Sequence, residues 1–186
     1  MKILGIGAHP DDIQIGAGGT LAKHKASGYR VFEVSLSSGR NNPNDQKFET
    51  LPLVVIITWV EDFVEKLKPD IIYTTSSSDV NRDHRIINEA VLVATRPPCS
   101  VKEIYACDLT GFWAFGQFGT FNPNVFVDIT DTIDDKMEGL KKYRDEMRPP
   151  PHYRSYENIR AVAQVTGRII NVPYAEAFQL IRRIIK

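Results

Sequence analysis

Apolar residues along the chain follow two rhythms: short unbroken runs closed by glycine or polar residues, and longer stretches where they recur every three or four positions. Lys2-Ile3-Leu4-Gly5-Ile6-Gly7 is of the first kind, the pattern of a strand buried on both faces, and it ends at His9-Pro10. From Gly18-Gly19 the pattern turns helical, with Thr20 as a candidate N-cap, helix formers from Leu21 to Ala26 and Gly28 at the stop. A second strand, Arg30 to Leu36, follows at once. Strand, helix and strand within about 35 residues have the proportions of a βαβ unit, with parallel pairing and a right-handed crossover.

Ser37 to Pro52 has no steady period and reads as loop. Leu53, Ile56, Ile57, Val60, Phe63, Val64 and Leu67 then fall at helical spacing, and Pro69 stops them. Ile71 to Thr75 is a third strand, and polar Ser76 to Arg82 leads into a helix with Ile87, Val91 and Ala94 on one face, ended before Pro97-Pro98. Glu103 to Ala106 and Val125 to Asp128 read as further strands around a loop, Gly111 to Phe121, whose aromatic residues suit the wall of a site. Two helices follow, Asp131 to about Glu146 and about Tyr156 to Thr166, broken by Pro149-Pro150-Pro151; Tyr174 to Ile185 reads as either strand or short helix. The order of elements predicts one α/β domain over residues 1–186, with a mostly parallel sheet and helices on both faces.

Composition narrows the partners. The 186 residues carry 23 basic and 23 acidic side chains and no formal net charge, which argues against nucleic acid as the main ligand and for a small molecule. No apolar run reaches the roughly 18 residues of a membrane span, and the opening Met1-Lys2-Ile3-Leu4-Gly5 lacks a signal-cleavage pattern, so a cytoplasmic location is expected. Cys99 and Cys107 are too few for a disulfide scaffold and are expected as reduced thiols.

The densest polar cluster, Ala8-His9-Pro10-Asp11-Asp12, stands directly after the first strand, where parallel sheets gather their ligands. His9 and Asp12 are three residues apart, and His84 lies just beyond the strand Ile71 to Thr75, at the same end of the sheet. Two histidines and one carboxylate suit a divalent metal with an open coordination position. Asp11 would then face the bound water as general base, while Asp83 would orient a ligand or cap the helix that starts beside it. The same residues also read as an ordinary polar turn and a lone loop histidine. Gly5-x-Gly7 and Gly16-Ala17-Gly18-Gly19 invite a nucleotide-loop reading, but Pro10 stands where a glycine is needed, and two carboxylates would oppose a pyrophosphate. His24 is expected on a helix surface, Arg144, Arg148 and Arg154 on a solvated face, and His152 in a loop able to fold over the site.

The run from Ala8 to Asp12 followed by Ile15-Gly16-Ala17-Gly18-Gly19-Thr20-Leu21, with Asp79-Val80-Asn81-Arg82-Asp83-His84-Arg85 and Tyr174-Ala175-Glu176-Ala177-Phe178, resembles the PIG-L or LmbE-like family of zinc-dependent N-acetylglucosaminyl deacetylases. The resemblance implies a Rossmann-like fold, zinc on His9, Asp12 and His84, Asp11 as base, and attack of zinc-activated water on an acetamide carbonyl. Ferrous iron or another divalent ion would suit the same ligands. Where many members have a histidine that stabilises the oxyanion or protonates the amine, this chain has Asn81, which cannot exchange a proton at neutral pH. Asp11 or His152 must then supply it, and Pro151-His152-Tyr153-Arg154-Ser155 matches a branch with asparagine at that place. Relatives also carry a further helix before the segment beginning near Leu53, whereas here Arg40 runs into Asn41-Asn42-Pro43-Asn44, which reads as an abbreviated crossover or a missing mobile segment. The expected partner is a small-molecule amino-sugar conjugate, with a homo-oligomer plausible; Phe112, Trp113, Phe115, Phe118 and Phe121 would stack on sugar or pack a subunit contact. The alternative reading is a non-catalytic Rossmann-like module that binds a nucleotide or sugar nucleotide.

Overall fold

The computed structural model describes residues 1–37, 48–109 and 118–185. Its centre is a six-stranded sheet in the order β2-β1-β3-β4-β6-β5, built from β1 (Lys2–Gly7), β2 (Arg30–Ser35), β3 (Ile71–Thr75), β4 (Glu103–Cys107), β5 (Val125–Asp128) and β6 (Ala175–Arg183). The first four strands pair in parallel, while β6 runs antiparallel to both β4 and β5. The sheet is therefore mixed rather than mostly parallel. Between β5 and β6 the chain passes through two helices, α4 (Ile133–Lys141) and α5 (Tyr156–Ile169), where a parallel crossover uses one. An even number of traverses brings the chain into the next strand from the opposite end.

Helices cover both faces, as the element order predicts. Ile3, Ile71 and Tyr73 join a core with α1 (Asp12–Ala26), α4 and α5, while Leu4, Ile6, Ile72 and Ile104 join a second core with α2 (Leu53–Leu67) and α3 (Arg82–Ala94). This is the period-two alternation of strands buried on both sides. α2 stops at Lys68, left-handed at φ 49°, just before Pro69.

Several boundaries differ from those read off the pattern. α1 begins at Asp12, not near Thr20, so the glycine run lies inside the helix. A Cβ on Gly16 would come within 2.9 Å of Cys107 Cβ, so close seating of the helix on β4 requires glycine there. α4 ends at Lys141, short of Glu146, and is preceded by a 3-10 turn, Thr130–Thr132. The expected loop 37–52 holds a 3-10 turn, Phe48–Thr50, whose Phe48 is buried; the Arg40 to Asn44 junction lies outside the described residues, as do Phe112, Trp113 and Phe115. The C-terminal segment resolves as β6, not a helix. His24 is half-buried rather than on the surface, with Nε2 2.9 Å from Tyr73 Oη.

The glycine segment of α1 is held by a buried clasp from the far end of the chain. Glu176, on β6, accepts from the amides of Gly19 (3.0 Å) and Thr20 (2.7 Å). Lys136, on α4, donates to Glu176 Oε1 (2.6 Å) and to the Ile15 carbonyl (2.7 Å), and Thr132 Oγ1 donates to the Gly19 carbonyl (2.8 Å). Both ends of the rung between Ile15 and Gly19 thus carry a side-chain partner, the arrangement by which an inserted side chain bends a helix.

Candidate active site

The parallel strands β1, β3 and β4 release their chains at one end of the sheet, where the polar residues collect. β1 closes at Gly7, where a Cβ would lie 2.8 Å from Asp12 Cβ. The bare backbone lets the chain double back, and the amides of Ala8 and His9 donate to Asp12 Oδ2 at 2.9 and 2.8 Å. After β3, Thr75 Oγ1 donates to the His84 carbonyl (2.7 Å) and Asn88 Nδ2 to the Thr75 carbonyl (2.7 Å), tying α3 to the strand end.

These turns bring His9, Asp12 and His84 together. His9 Nδ1 stands 3.2 Å from His84 Nε2 and 3.5 Å from Asp12 Oδ2, and His84 Nε2 stands 3.3 Å from Asp12 Oδ1. Ligands at about 2.0–2.1 Å from a tetrahedral ion are themselves about 3.3 Å apart. The outer ring nitrogens have carboxylate partners: His84 Nδ1 lies 2.7 Å from Asp79 Oδ2, and His9 Nε2 3.3 Å from Asp83 Oδ2. A neutral imidazole that donates outward presents a bare lone pair inward. Two such lone pairs and the carboxylate of Asp12, whose Oδ1 has no hydrogen-bond partner, therefore converge on one point. Only a cation or a proton relieves that arrangement. Burial disfavours the charged form of His84, yet facing Asp12 and Asp79 outweigh it and push its pKa up to about 10. Burial likewise works against charge on Asp12, but His84 and His9 hold it well below the usual carboxylate range.

Asp79 was not singled out in the sequence, although it stands only five residues before His84. Asp83 does not cap α3; it faces His9. The cap is Asn81, whose Oδ1 accepts from the Asp83 amide (2.9 Å), while its own amide donates to Asp79 Oδ1 (2.8 Å). With Oδ1 so used, the Nδ2 hydrogens of Asn81 are what it offers to the cleft it lines.

Asp11 is fully buried. Its Oδ2 lies 3.1 Å from Arg154 Nη1, close enough for an ion pair though neither oxygen is aligned for a hydrogen bond. Burial raises the Asp11 pKa, and Arg154 only partly draws it back. Arg154 thus departs from the solvated face expected of it: its side chain is 14% exposed and sits between Asp11 and, at 3.9 Å, Glu146 Oε2. Nothing local in the sequence distinguishes it from a surface arginine. Ser155 caps α5 by accepting from the Asn158 amide (3.1 Å), which fixes the backbone beside Arg154. His152 is exposed, lines the same cleft, and accepts the Arg154 amide at Nδ1 (3.0 Å). That cleft, of about 160 Å³, is bounded by His9, Asn81, Glu146, Arg148, His152, Tyr153 and Arg154.

Residues 4–52 match the family profile of the GlcNAc-PI de-N-acetylases, PIG-L. An uncharacterized deacetylase, YaiS, of Escherichia coli is 26% identical over 76% of this chain and 90% of its own. The diacetylchitobiose deacetylase of Thermococcus kodakarensis is 25% identical over 97% of this chain and 83% of its own. Among solved structures, the N,N'-diacetylchitobiose deacetylase of Pyrococcus horikoshii superposes with a TM-score of 0.73 at 20% identity, over 97% of this chain and 84% of that one. GalB, a 4-carboxy-2-hydroxymuconate hydratase of Pseudomonas putida, superposes with a TM-score of 0.69 at 18% identity, over 100% and 98% of the two chains. These matches bear out the resemblance that the motifs carry: the chain is similar to the PIG-L or LmbE-like deacetylases. No helix among the described residues is long and apolar enough to cross a membrane.

Proposed function

We propose that this protein is a metal-dependent hydrolase that removes the acetyl group from an N-acetylglucosamine-type sugar or sugar conjugate. The observation that carries the reading is the convergence of His9 Nδ1, His84 Nε2 and the Asp12 carboxylate within 3.2–3.5 Å of one another, beside a buried Asp11. His9, Asp12 and His84 would hold zinc, or ferrous iron, with Asp83 and Asp79 orienting the two rings. When bound, such an ion polarises an acyl oxygen and lowers the pKa of water. Asp11 takes the proton of the attacking water, and because burial keeps its pKa raised it is able to return that proton to the departing amine. Arg154 holds the Asp11 carboxylate in place. Asn81 Nδ2 donates to the oxyanion, and Asp11, rather than the exposed His152 on the open side of the cleft, is the source of the proton.

Asp11→Asn is expected to keep the metal, read by elemental analysis, and to lose free-amine release from N-acetylglucosamine conjugates by about 10²–10⁴-fold. Unchanged amine release in that variant would overturn the assignment. Gly16, Gly18 and Gly19 lie within α1 and form no phosphate loop, which speaks against the nucleotide-module alternative that Asn81 keeps open.

A further inference from the structure

The cleft has two sides. One carries His9 and Asn81, and the other the segment from Glu146 to Arg154. On this second side, charge is unevenly matched. Arg154 faces Asp11 and Glu146. Arg148 faces no carboxylate among the described residues: its Nη1 donates to the carbonyls of Asp145 (2.9 Å) and Met147 (3.2 Å), which pin one edge of the guanidinium and leave its remaining donors free. Arg148 is half-buried in the cleft, whereas Arg144, four residues earlier, has a side chain 84% exposed. His152 is fixed in a similar way. With Nδ1 accepting the Arg154 amide, its proton stands on Nε2 as a donor without a partner among the described residues, and its ring stacks on Tyr153 at 4.6 Å. Two side chains are thus held by backbone bonds in the cleft that His9 lines, and each keeps a donor without an acceptor among the described residues.

We infer that Arg148 and His152 form a subsite for an anionic group, carboxylate or phosphate, carried by the substrate on the part away from its acetamide. A guanidinium presents a planar fork that matches both groups, and fixing it beforehand lowers the entropy lost on binding. The inference rests on the deacetylase reading for the orientation of the ligand: the acetamide lies toward His9 and Asn81, and the anionic substituent toward Arg148.

The test compares three matched N-acetylglucosaminides on the zinc-loaded protein: a methyl glycoside, one ending in a carboxylate and one ending in a phosphate. The anionic glycosides are expected to show a KM at least about tenfold below that of the methyl glycoside, a difference of about 1.4 kcal/mol. Arg148→Met is expected to abolish this ratio and Arg148→Lys to retain part of it, with circular dichroism confirming the fold of each. Which anionic glycoside gains more decides between carboxylate and phosphate. A second arm titrates the same three glycosides into chelator-treated protein by calorimetry. If no glycoside releases amine but the anionic ones still bind more tightly, and Arg148→Met removes that difference, the subsite stands and the reaction assignment falls. Equal binding of neutral and anionic glycosides by the unmodified protein, or a preference that survives Arg148→Met, overturns the proposal.

Discussion

α1 passes between two buried polar clusters that are built on opposite principles. At its glycine segment, Lys136 and Glu176 meet backbone amides and a carbonyl so that each charged atom has a partner of the complementary kind. At its first turn, His9, Asp12 and His84 turn acceptor atoms toward one another, and Asp12 Oδ1 has no donor. Burial is similar, with Lys136 and Glu176 at 4% exposure and His84 at 2%. The first cluster is complete with protein atoms alone, and the second presents the ligand set of a cation. Matching of donors to acceptors, more than burial or charge, separates a structural polar cluster from a ligand site.

The largest expected effect comes from breaking the complete cluster. Lys136→Met leaves the Glu176 carboxylate buried without its countercharge and is expected to cost about 3–5 kcal/mol, a large part of the stability of a domain. Pairing it with Glu176→Gln, which keeps an acceptor for one amide, should recover part of that loss. Urea unfolding of the single and double variants checks both, and simple additivity would show that the two residues do not act as a unit.

The cluster of His9, Asp12 and His84 should behave the other way and gain from an addition. Saturating chelator-treated protein with zinc at a hundredfold excess over its Kd is expected to add about 2.7 kcal/mol, seen as a rise in melting temperature. Asp12→Asn and His84→Ala should abolish the rise. A rise of the same size in either variant would place the ion elsewhere.

How much of this contrast was readable in the sequence follows from where each residue lies. β1, β3 and the helix α2 declare themselves because each buries a regular stripe or run. His9, Asp12 and His84 were readable because they follow directly on β1 and β3, whose parallel pairing brings their ends together. α1's true start was not, since glycine disfavours helix in isolation and the contacts with Cys107 and Glu176 that favour it come from distant segments. Arg154 was missed for the same reason. It reaches Asp11 across 143 positions of chain, and its own neighbours read as a surface loop. Asp79, though near His84 in sequence, is marked only by the turn that folds it back.

Arg154 lies between the two kinds of cluster, being charged and matched to Asp11 but bordering the open cleft. Arg154→Met is therefore expected to cost less than Lys136→Met, about 1–3 kcal/mol, because water reaches part of the vacated space. Arg154→Lys, which restores a positive charge, should regain some of it. A loss in Arg154→Met as large as that in Lys136→Met, measured in the same urea series, would mean that Asp11 is as sealed from solvent as Glu176.

The smallest effect tests the matching rule where a single proton decides it. Burial keeps the Tyr73 hydroxyl protonated, so it donates, and His24 accepts at Nε2 over 2.9 Å only while its imidazole is neutral. Burial first, and Lys23 second, lower the His24 pKa below its ordinary 6.5. A depressed histidine pKa means that the folded state binds fewer protons than the unfolded one in that interval. The contribution is then complete above pH 6.5 and is lost as pH falls through the lowered folded value. His24→Gln should cost under about 1 kcal/mol near pH 7, with the gap to the unmodified protein narrowing as the pH falls below 6.5. A gap that widens as the solution is acidified would mean that protonated His24 has found an acceptor, and that this pair is not matched in the way the Lys136–Glu176 clasp is.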